Sequence, residues 1–328
     1  MPNVLALKFR IMAHFTAFFP AHDHAAAAST YDQIERAHRE GLREESLHRH
    51  DLDGAWLVTV EREPLTPRVV VLDDGWVAVA GQIIDLDDDP RRFSAQRLLS
   101  ALVLNNAEKI NRFEGAFAAV AWHTPTRTAF VLNDQTSTLN LYVGDRSEGL
   151  WASTVALPLA RALGVGLDPG GVREFFSRGT VLTPTSMFDG IRRLEAGESL
   201  RYRDARTERR FHWRPVQDPR PQENTRSAAA AVSELAKDRI RRFAGVSAGV
   251  IADLTGGYDS RMVATAANAV GKLAAVTVDG PDDHGDVRIA KLIARAMDWD
   301  LRHFDTSTFW STPIGPEMRR ELTYRANG

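Results

Sequence analysis

A short segment with two adjacent glycines, Thr255–Ser260, has the residue types that hold phosphate groups. It reads Thr-Gly-Gly-Tyr-Asp-Ser and lies where an apolar run gives way to a segment with helical spacing. At a switch from strand to helix, backbone N–H groups and the positive helix end point at one spot. Gly256 and Gly257 let the backbone approach an anion and reach backbone angles that other residues resist. The pattern predicts an anion-binding loop; the alternative is a glycine turn that only joins the two elements.

The polar side chains of this loop predict that the bound phosphate carries magnesium. The hydroxyls of Thr255 and Ser260 can donate hydrogen bonds to phosphate oxygens. Asp259 is itself an anion and would repel phosphate, so its expected role is to hold a Mg²⁺ ion that bridges the phosphates. The sequence has no Gly-x-x-x-x-Gly-Lys-Ser/Thr segment, which excludes a nucleotide site of the Walker type.

The elements that position this loop follow from the pattern of the second half of the chain. Apolar runs predict strands, and helical spacing predicts helices between them, in the order strand 249–254, helix 258–270, strand 273–278, helix 287–297 and strand 301–304. This alternation predicts a parallel sheet with right-handed crossovers. Ligands of such sheets bind at the carboxyl ends of the strands, where Thr255–Ser260 lies.

The first two hundred residues predict a sheet-rich domain instead. Short apolar runs separated by turn signals indicate strands at 55–60, 68–72, 76–84, 116–122, 129–132 and 150–153, with helices at 94–105 and 171–177. Asp73–Gly75 is typical of a hairpin turn between two of these strands. A polar run with three prolines, 214–224, predicts a linker. Beyond it, apolar residues recur at helical spacing from Val232 to Phe243 and predict a helix.

Composition narrows the classes of protein that this chain can be. Its 328 residues suit two domains, and 41 basic against 43 acidic residues give no field that favours nucleic acid or an anionic membrane as a partner. The chain has no cysteine, which excludes disulfides, thiolate zinc sites and a cysteine nucleophile. Charges interrupt the apolar opening, 4–20, so it predicts neither a membrane span nor a signal peptide. We expect a cytoplasmic enzyme.

Two histidine-containing segments raise the question of a metal site. His22–His24 reads His-Asp-His, and His48–Asp51 reads His-Arg-His-Asp. Without a third cluster at a defined spacing, such segments are more often solvated loop or helix residues. We therefore expect no metal site in this half of the chain.

Several segments together resemble the asparagine synthetase family, which includes β-lactam synthetases and lasso-peptide cyclases. Residues 253–266 are similar to the family's pyrophosphate loop. Phe113–Trp122 resembles its glycine-phenylalanine-alanine strand, and Phe188–Ile191 with Leu194–Gly197 resembles its turn before the linker. The resemblance covers most of the chain from about Trp76 onward.

The resemblance implies a fold and a division of the chain. Residues 1–213 are expected to form an α+β domain like the N-terminal-nucleophile hydrolases, with stacked sheets and flanking helices. Residues 214–224 are expected to be the proline-rich linker. Residues 225–328 are expected to form part of an α/β parallel-sheet domain of the adenine nucleotide α-hydrolase (PP-loop) type.

The resemblance also assigns roles at the loop, with ATP and Mg²⁺ as cofactors. It implies that Leu254 and Val278 border the adenine, that Thr255, Gly256, Gly257 and Ser260 hold pyrophosphate, and that Asp259 binds the metal. Asp286 matches an acidic position near the nucleotide in the family, and a plain helix cap is an equally open interpretation of it.

The first domain departs from the family pattern at its catalytic positions. Members that use glutamine carry a cysteine directly after the initiator methionine, and this chain has Pro2 there. Gly81 matches the family's oxyanion-hole glycine, but Ala80 replaces the asparagine before it, so one donor is lost. Asn133–Ser137 stands where relatives have an arginine-aspartate pair and then a glycine. We expect no catalytic residue and no glutaminase activity in this domain.

These observations predict an ATP-dependent ligase that adenylates a carboxylate and forms an amide bond. The partners are then a small-molecule or peptide carboxylate and an amine. The alternative is a non-catalytic relative that binds nucleotide or a partner protein. Relatives carry further strands and a second acidic magnesium ligand after the region that ends here at Gly328. We therefore expect an incomplete synthetase domain that needs its downstream part, in the same chain or as a partner chain, for pyrophosphate exchange.

Overall fold

The computed structural model describes residues 14–21, 27–39, 46–61, 68–89, 93–182, 184–215, 224–244, 249–307 and 315. The chain divides into two compact units, one made mainly of residues 14–215 and the other mainly of residues 224–307. The division lies at Pro215, within the segment that the sequence predicts as a linker. Each unit has its own sheets and its own apolar core.

The first unit contains two six-stranded antiparallel sheets. Sheet I has the strand order β10-β8-β9-β1-β3-β2, with β1 His14–Pro20, β2 Ser46–Leu52, β3 Ala55–Glu61, β8 Tyr142–Arg146, β9 Gly149–Ser153 and β10 Arg192–Arg193. Sheet II has the order β12-β11-β7-β6-β5-β4, with β4 Arg68–Leu72, β5 Gly75–Asp85, β6 Phe113–His123, β7 Thr128–Asn133, β11 Glu198–Arg203 and β12 Arg206–Phe211. The predicted turn at Asp73 and Asp74 joins β4 to β5 with Leu72 paired to Gly75.

The two sheets stack through one shared core. In sheet I, Phe15, Ala17 and Phe19 of β1 belong to this core, and in sheet II Trp76 and Ala78 of β5 belong to it. Their strand neighbours belong to other clusters, because successive side chains of a strand point to opposite faces. Both faces of each sheet are therefore apolar, which requires a further layer on each outer side.

Helices supply these outer layers. Helices α1 (Ala27–Arg39) and α4 (Ala156–Leu163) pack on the outer face of sheet I. Helix α2 (Ala95–Val103), with the single turn α3 (Ala107–Ile110), packs on the outer face of sheet II. The order of layers is helix, sheet, sheet, helix. The predicted α+β arrangement of stacked sheets between helices is confirmed.

Helix α5 (Pro169–Arg178) belongs to the segment that connects β9 to β10, both strands of sheet I. It begins at the N-cap Asp168, whose carboxylate accepts from Gly171 N–H at 2.6 Å, and it ends at Gly179 with φ 74°. The chain then runs to the short strand β10, in which Arg193 pairs with Tyr142 of β8.

The second unit has a three-stranded parallel sheet. Helix α6 (Thr225–Ala244) precedes the order β13 (Val250–Asp253), α7 (Tyr258–Ala269), β14 (Leu273–Asp279), α8 (Gly285–Met297) and β15 (Leu301–Phe304), and β14 is the central strand. The predicted alternation and parallel pairing are confirmed here. In the described part of the chain, no helix combines the length and apolar character needed to cross a membrane.

Candidate functional site

The glycine loop lies where the sequence places it, between the carboxyl end of β13 and the start of α7. Leu254 N–H still donates to Thr277 O of the neighbouring strand at 2.7 Å, and helix α7 begins four residues later at Tyr258. The N-cap of α7 is Gly257, which has no side chain to cap the helix. The first-turn N–H groups of α7 are therefore left for another acceptor.

Two hydroxyls stabilise the loop from inside. The side-chain oxygens of Thr255 and Ser260 lie 2.8 Å apart. Ser260 Oγ also accepts from Thr255 N–H at 3.0 Å, and Thr255 Oγ1 accepts from Gly257 N–H at 3.1 Å. The two residues predicted to bind phosphate are thus brought together, and they form the loop's own hydrogen bonds.

Gly256 is required by close packing and not by its backbone angles. Neither Gly256 nor Gly257 has a positive φ, so the expectation of unusual backbone angles is wrong for both. A Cβ atom at Gly256 would lie 2.9 Å from Asp286 Oδ1 and 2.9 Å from Ile289 Cδ1. The absence of a side chain lets α8 approach the loop.

Asp286 directly contacts the loop. Its Oδ1 accepts a hydrogen bond from Gly256 N–H at 2.9 Å, across 30 residues of sequence. The N-cap of α8 is His284, whose ring accepts from Asp286 N–H, so the interpretation of Asp286 as the helix cap is wrong. The Asp286 carboxylate instead lies in the first turn of α8 and faces the glycine loop.

The first turn of α7 carries one carboxylate and one cation beside the loop. Asp259 is exposed in this turn, so its carboxylate is accessible to a ligand. Arg261 donates from Nε to Gly257 O at 3.0 Å, and its guanidinium carbon lies 4.5 Å from the ring centre of Tyr258, which is 84% exposed. Sequence reasoning did not single out Arg261. The sequence does indicate this position, because Arg261 follows the N-cap glycine by four residues and so lies on the side of the helix that faces the loop.

Leu254 and Val278, expected to border the adenine, lie in the core of the second unit. They are 0% and 2% exposed, and they pack with Ala264 of α7 and Val287 of α8. A base in contact with either residue would need this part of the core to open. In this structure their side chains belong to the core on which the glycine loop rests.

The described residues bring too few ligands together to hold a metal by themselves. No group of three or more His, Cys, Asp or Glu side chains in that part of the chain is arranged around one point. Mg²⁺ is usually bound by one or two carboxylates together with substrate phosphates. A magnesium ion at Asp259 therefore depends on a bound phosphate. His22–His24 and Pro2 lie outside the described residues.

The oxyanion-hole positions of the first unit are built into strand β5. Ala80 is fully buried in the core between the sheets. Gly81 has φ 88°, and a Cβ there would lie 2.2 Å from Ala116 O and 2.5 Å from Leu139 Cδ1. The glycine is therefore needed for folding, whatever its role in chemistry.

The loop Asn133–Ser137 is organised by a buried carboxylate. Asp134 is 0% exposed and accepts from the N–H groups of Phe117, Thr136 and Thr138. Ser137 has φ 53°. Its hydroxyl accepts from Asn133 Nδ2 at 2.7 Å, which helps to hold this conformation.

Comparisons with known proteins agree with the architecture of the first unit. Residues 94–213 match the family model described as a glutamine amidotransferase domain. This part of the chain is therefore similar to glutamine amidotransferase domains of the N-terminal-nucleophile type. No curated protein matches the chain.

Solved structures with a similar course of the chain are distant. One is glutamine phosphoribosylpyrophosphate amidotransferase from B. subtilis in complex with ADP and GMP, 13% identical with a TM-score of 0.39 over 89% of this chain and 65% of that one. Another is described as the allosteric regulatory enzyme of purine biosynthesis, 11% identical with a TM-score of 0.39 over 95% of this chain and 88% of that one. The chain thus spans less than two thirds of the B. subtilis protein.

Proposed function

We propose that the second unit binds Mg-ATP at Thr255–Ser260 and activates a carboxylate for amide formation. A carboxylate oxygen of the substrate attacks the α-phosphorus of ATP, and the bond from that phosphorus to pyrophosphate breaks. An amine nitrogen then attacks the acyl carbon of the adenylate, loses a proton and expels AMP. This is the reaction of an asparagine synthetase-like ligase, with a small-molecule or peptide carboxylate and an amine as substrates.

The observation that supports this proposal is the carboxylate held by the loop. Asp286 Oδ1 accepts from Gly256 N–H at 2.9 Å, so a loop amide already binds an anion. The uncapped first turn of α7 adds further N–H groups at the same place. A phosphate that takes the Gly256 N–H displaces Asp286, whose carboxylate is then free to bind the magnesium that accompanies the phosphate.

Each residue around the loop has a role in the proposal. The hydroxyls of Thr255 and Ser260 donate to pyrophosphate oxygens, and Asp259 holds Mg²⁺. The guanidinium of Arg261 adds the positive charge that stabilises pyrophosphate as it leaves. Leu254 and Val278 keep the loop in place from the core.

We also propose that the first unit does not hydrolyse glutamine. The chain has no cysteine to attack the amide, and Pro2 stands at the position of the nucleophile. Ala80 cannot supply the side-chain donor that an asparagine would. Ammonia release from glutamine should equal the buffer rate in an enzyme-coupled assay, and release that a point substitution in this unit abolishes would contradict the proposal.

Binding of a partner protein is a second candidate function of the second unit. Val232 and Leu235 of α6 are 50% and 54% exposed, and Met262 and Val263 of α7 are each 41% exposed. Apolar side chains grouped on helices in this way are typical of protein contacts. Light scattering after size-exclusion chromatography tests this function: a stable complex or oligomer that Leu235→Glu disrupts supports it, and a monomer unaffected by the change does not.

Product analysis tests the proposed chemistry. The protein is incubated with Mg-ATP and mixed carboxylates and amines, and the nucleotide products are separated by ion exchange. With the downstream part of the synthetase domain supplied in the same chain or as a partner chain, the proposal predicts AMP and pyrophosphate, and Asp259→Asn should abolish both products. Formation of ADP and phosphate would contradict adenylation, and absence of Mg-ATP binding would contradict the site itself.

A further inference from the structure

A cavity of about 120 Å³ lies in the first unit, away from the glycine loop. It is bordered by β8, β10 and the segment that follows α5. Its volume of about 120 Å³ is several times what a single water molecule requires. The space is enough for the polar group and short chain of a small organic molecule.

The polar side of this cavity contains donors and a cation. Arg193 of β10 and Tyr142 of β8 are directly paired in register, and Asn140 precedes β8. The lining residues include no aspartate and no glutamate. A cavity with one cation and no anion is complementary to a negatively charged group.

Arg193 differs from its neighbour Arg192 in its partners among the described residues. Arg192 forms a two-bond ion pair with the fully buried Glu198, at 2.8 and 3.2 Å. Arg193 donates only to Asn140 Oδ1, at 3.4 Å, and in the described part of the chain no acidic side chain forms an ion pair with it. Its guanidinium therefore retains donors for a ligand.

Tyr142 supplies a second donor. Its side chain is buried and lines the cavity. Burial raises the pKa of Tyr142 to about 12, so the hydroxyl keeps its proton at neutral pH. Because Asn140 Oδ1 faces Arg193, the amide nitrogen of Asn140 is a third donor near the same point.

The lining of the cavity also includes apolar side chains. These are Phe175 of α5, Val181 and Met187. A ligand that fits this lining carries one anionic group and a short hydrocarbon part. A carboxylate matches the planar fork of a guanidinium better than a spherical anion does.

We propose that this cavity binds a small aliphatic monocarboxylate, with its carboxylate on Arg193 and Tyr142 and its hydrocarbon chain against Phe175, Val181 and Met187. The proposal is independent of the ATP site, because it concerns only residues of the first unit. It assigns a ligand site to a domain that is expected to have lost its catalytic residue.

Calorimetric titration with sodium isovalerate tests the proposal, with isovaleramide as a neutral ligand of the same shape. Wild-type protein should bind isovalerate with a dissociation constant of about 1 mM or tighter, and the amide at least about tenfold more weakly. Arg193→Gln should weaken isovalerate binding by at least about tenfold. Arg178→Gln removes the same charge from an exposed position at the end of α5 and should leave the constant unchanged.

A cavity-filling variant covers the case in which Arg193→Gln fails to fold. Val181→Trp keeps Arg193 and occupies the apolar side, and it should abolish isovalerate binding while the circular dichroism spectrum stays native. Three outcomes would each overturn the proposal: no isovalerate binding by wild-type protein, equal affinity for acid and amide, or unchanged binding in either cavity variant.

Discussion

Two loops of this molecule follow strands and contain an aspartate, and they use the carboxylate in opposite ways. In the first unit Asp134 is 0% exposed and accepts hydrogen bonds from three backbone N–H groups of its surroundings. In the second unit Asp259 is exposed in the first turn of α7. A carboxylate that is bonded inward stabilises a fold, whereas an exposed one is available to a cation or ligand.

Other polar residues of the two units show the same contrast between a buried carboxylate with several partners and a loop with few. Glu198 of the first unit is fully buried between Arg192 and Arg209. The loop of the second unit is held by short-range hydroxyl contacts and by a single carboxylate, that of Asp286. We therefore expect substitutions of polar residues to affect stability in the first unit and ligand binding in the second.

The largest effect on stability should come from Glu198→Ala. Burial raises the pKa of Glu198, and the guanidinium of Arg192 opposes this shift. Removal of the carboxylate leaves two guanidinium groups and the N–H of Glu195 without their acceptor, at a cost of about 3 kcal/mol. Chemical denaturation measures this loss. Glu208→Ala, on an exposed side chain of β12, is the matched control and should cost less than about 1 kcal/mol; similar losses for both would break the comparison.

A second effect should appear as acid sensitivity of the first unit. His38 is fully buried with Nε2 2.8 Å from Thr16 Oγ1, and burial lowers its pKa to about 3. The unfolded chain binds a proton at this histidine below about pH 6.5 and the folded chain does not. Its stabilising contribution is complete above that pH and falls by roughly 1.4 kcal/mol per pH unit down to about pH 3.

Unfolding titrations between pH 7 and pH 4 measure this slope. His38→Gln should remove the part of the slope of unfolding free energy against pH that comes from one bound proton. His48→Gln, at an exposed position on β2, should leave the slope unchanged. A slope that is identical in wild type and His38→Gln would show that His38 does not stay neutral in the folded state.

A smaller effect on stability is expected in the second unit. Gly256→Ala places a Cβ atom 2.9 Å from Asp286 Oδ1 and from Ile289 Cδ1, and these side-chain ends can shift at a cost of about 1 kcal/mol. The shift should break the contact of Asp286 with the loop. Gly285→Ala, where a Cβ meets nothing within 4 Å, is the control and should not lower stability. A loss of more than about 3 kcal/mol for Gly256→Ala would show that this loop is as tightly packed as the Asn133–Ser137 loop of the first unit, and would contradict the contrast between the two units.

Much of the fold could be predicted because the local patterns are strong. Strand 301–304 agrees with β15 to the residue, and the other predicted strands of the second unit agree with β13 and β14 to within one residue at either end. Continuous apolar runs predicted these strands. Strand β1 was not predicted, because its apolar residues continue an apolar opening that contains charges and shows no clean alternation. Strand β10 has two residues and is too short to have a pattern.

The contacts of the site could be predicted only in part. The position of the loop follows from its glycines, but the bond between Gly256 and Asp286 joins residues that are far apart in sequence and depends on how α8 packs. The burial of Leu254 and Val278 depends on the same packing. The spacing of apolar residues from Val232 to Phe243 predicts helix α6, yet Ala244 is its one buried residue. Periodicity shows that an apolar face exists and does not show what covers it.

Calorimetric titration of ATP in the presence of Mg²⁺ tests most directly whether Thr255–Ser260 is a nucleotide site. We predict that the wild-type chain binds Mg-ATP with a dissociation constant on the order of 0.1–1 mM. Asp259→Asn should weaken this binding by at least about tenfold and remove its dependence on Mg²⁺, with little change in stability. The control Asp298→Asn removes the same charge at the far end of α8, where φ is 53° and asparagine is tolerated. Equal affinity of wild type and Asp259→Asn for Mg-ATP, or no binding by either, would contradict the account.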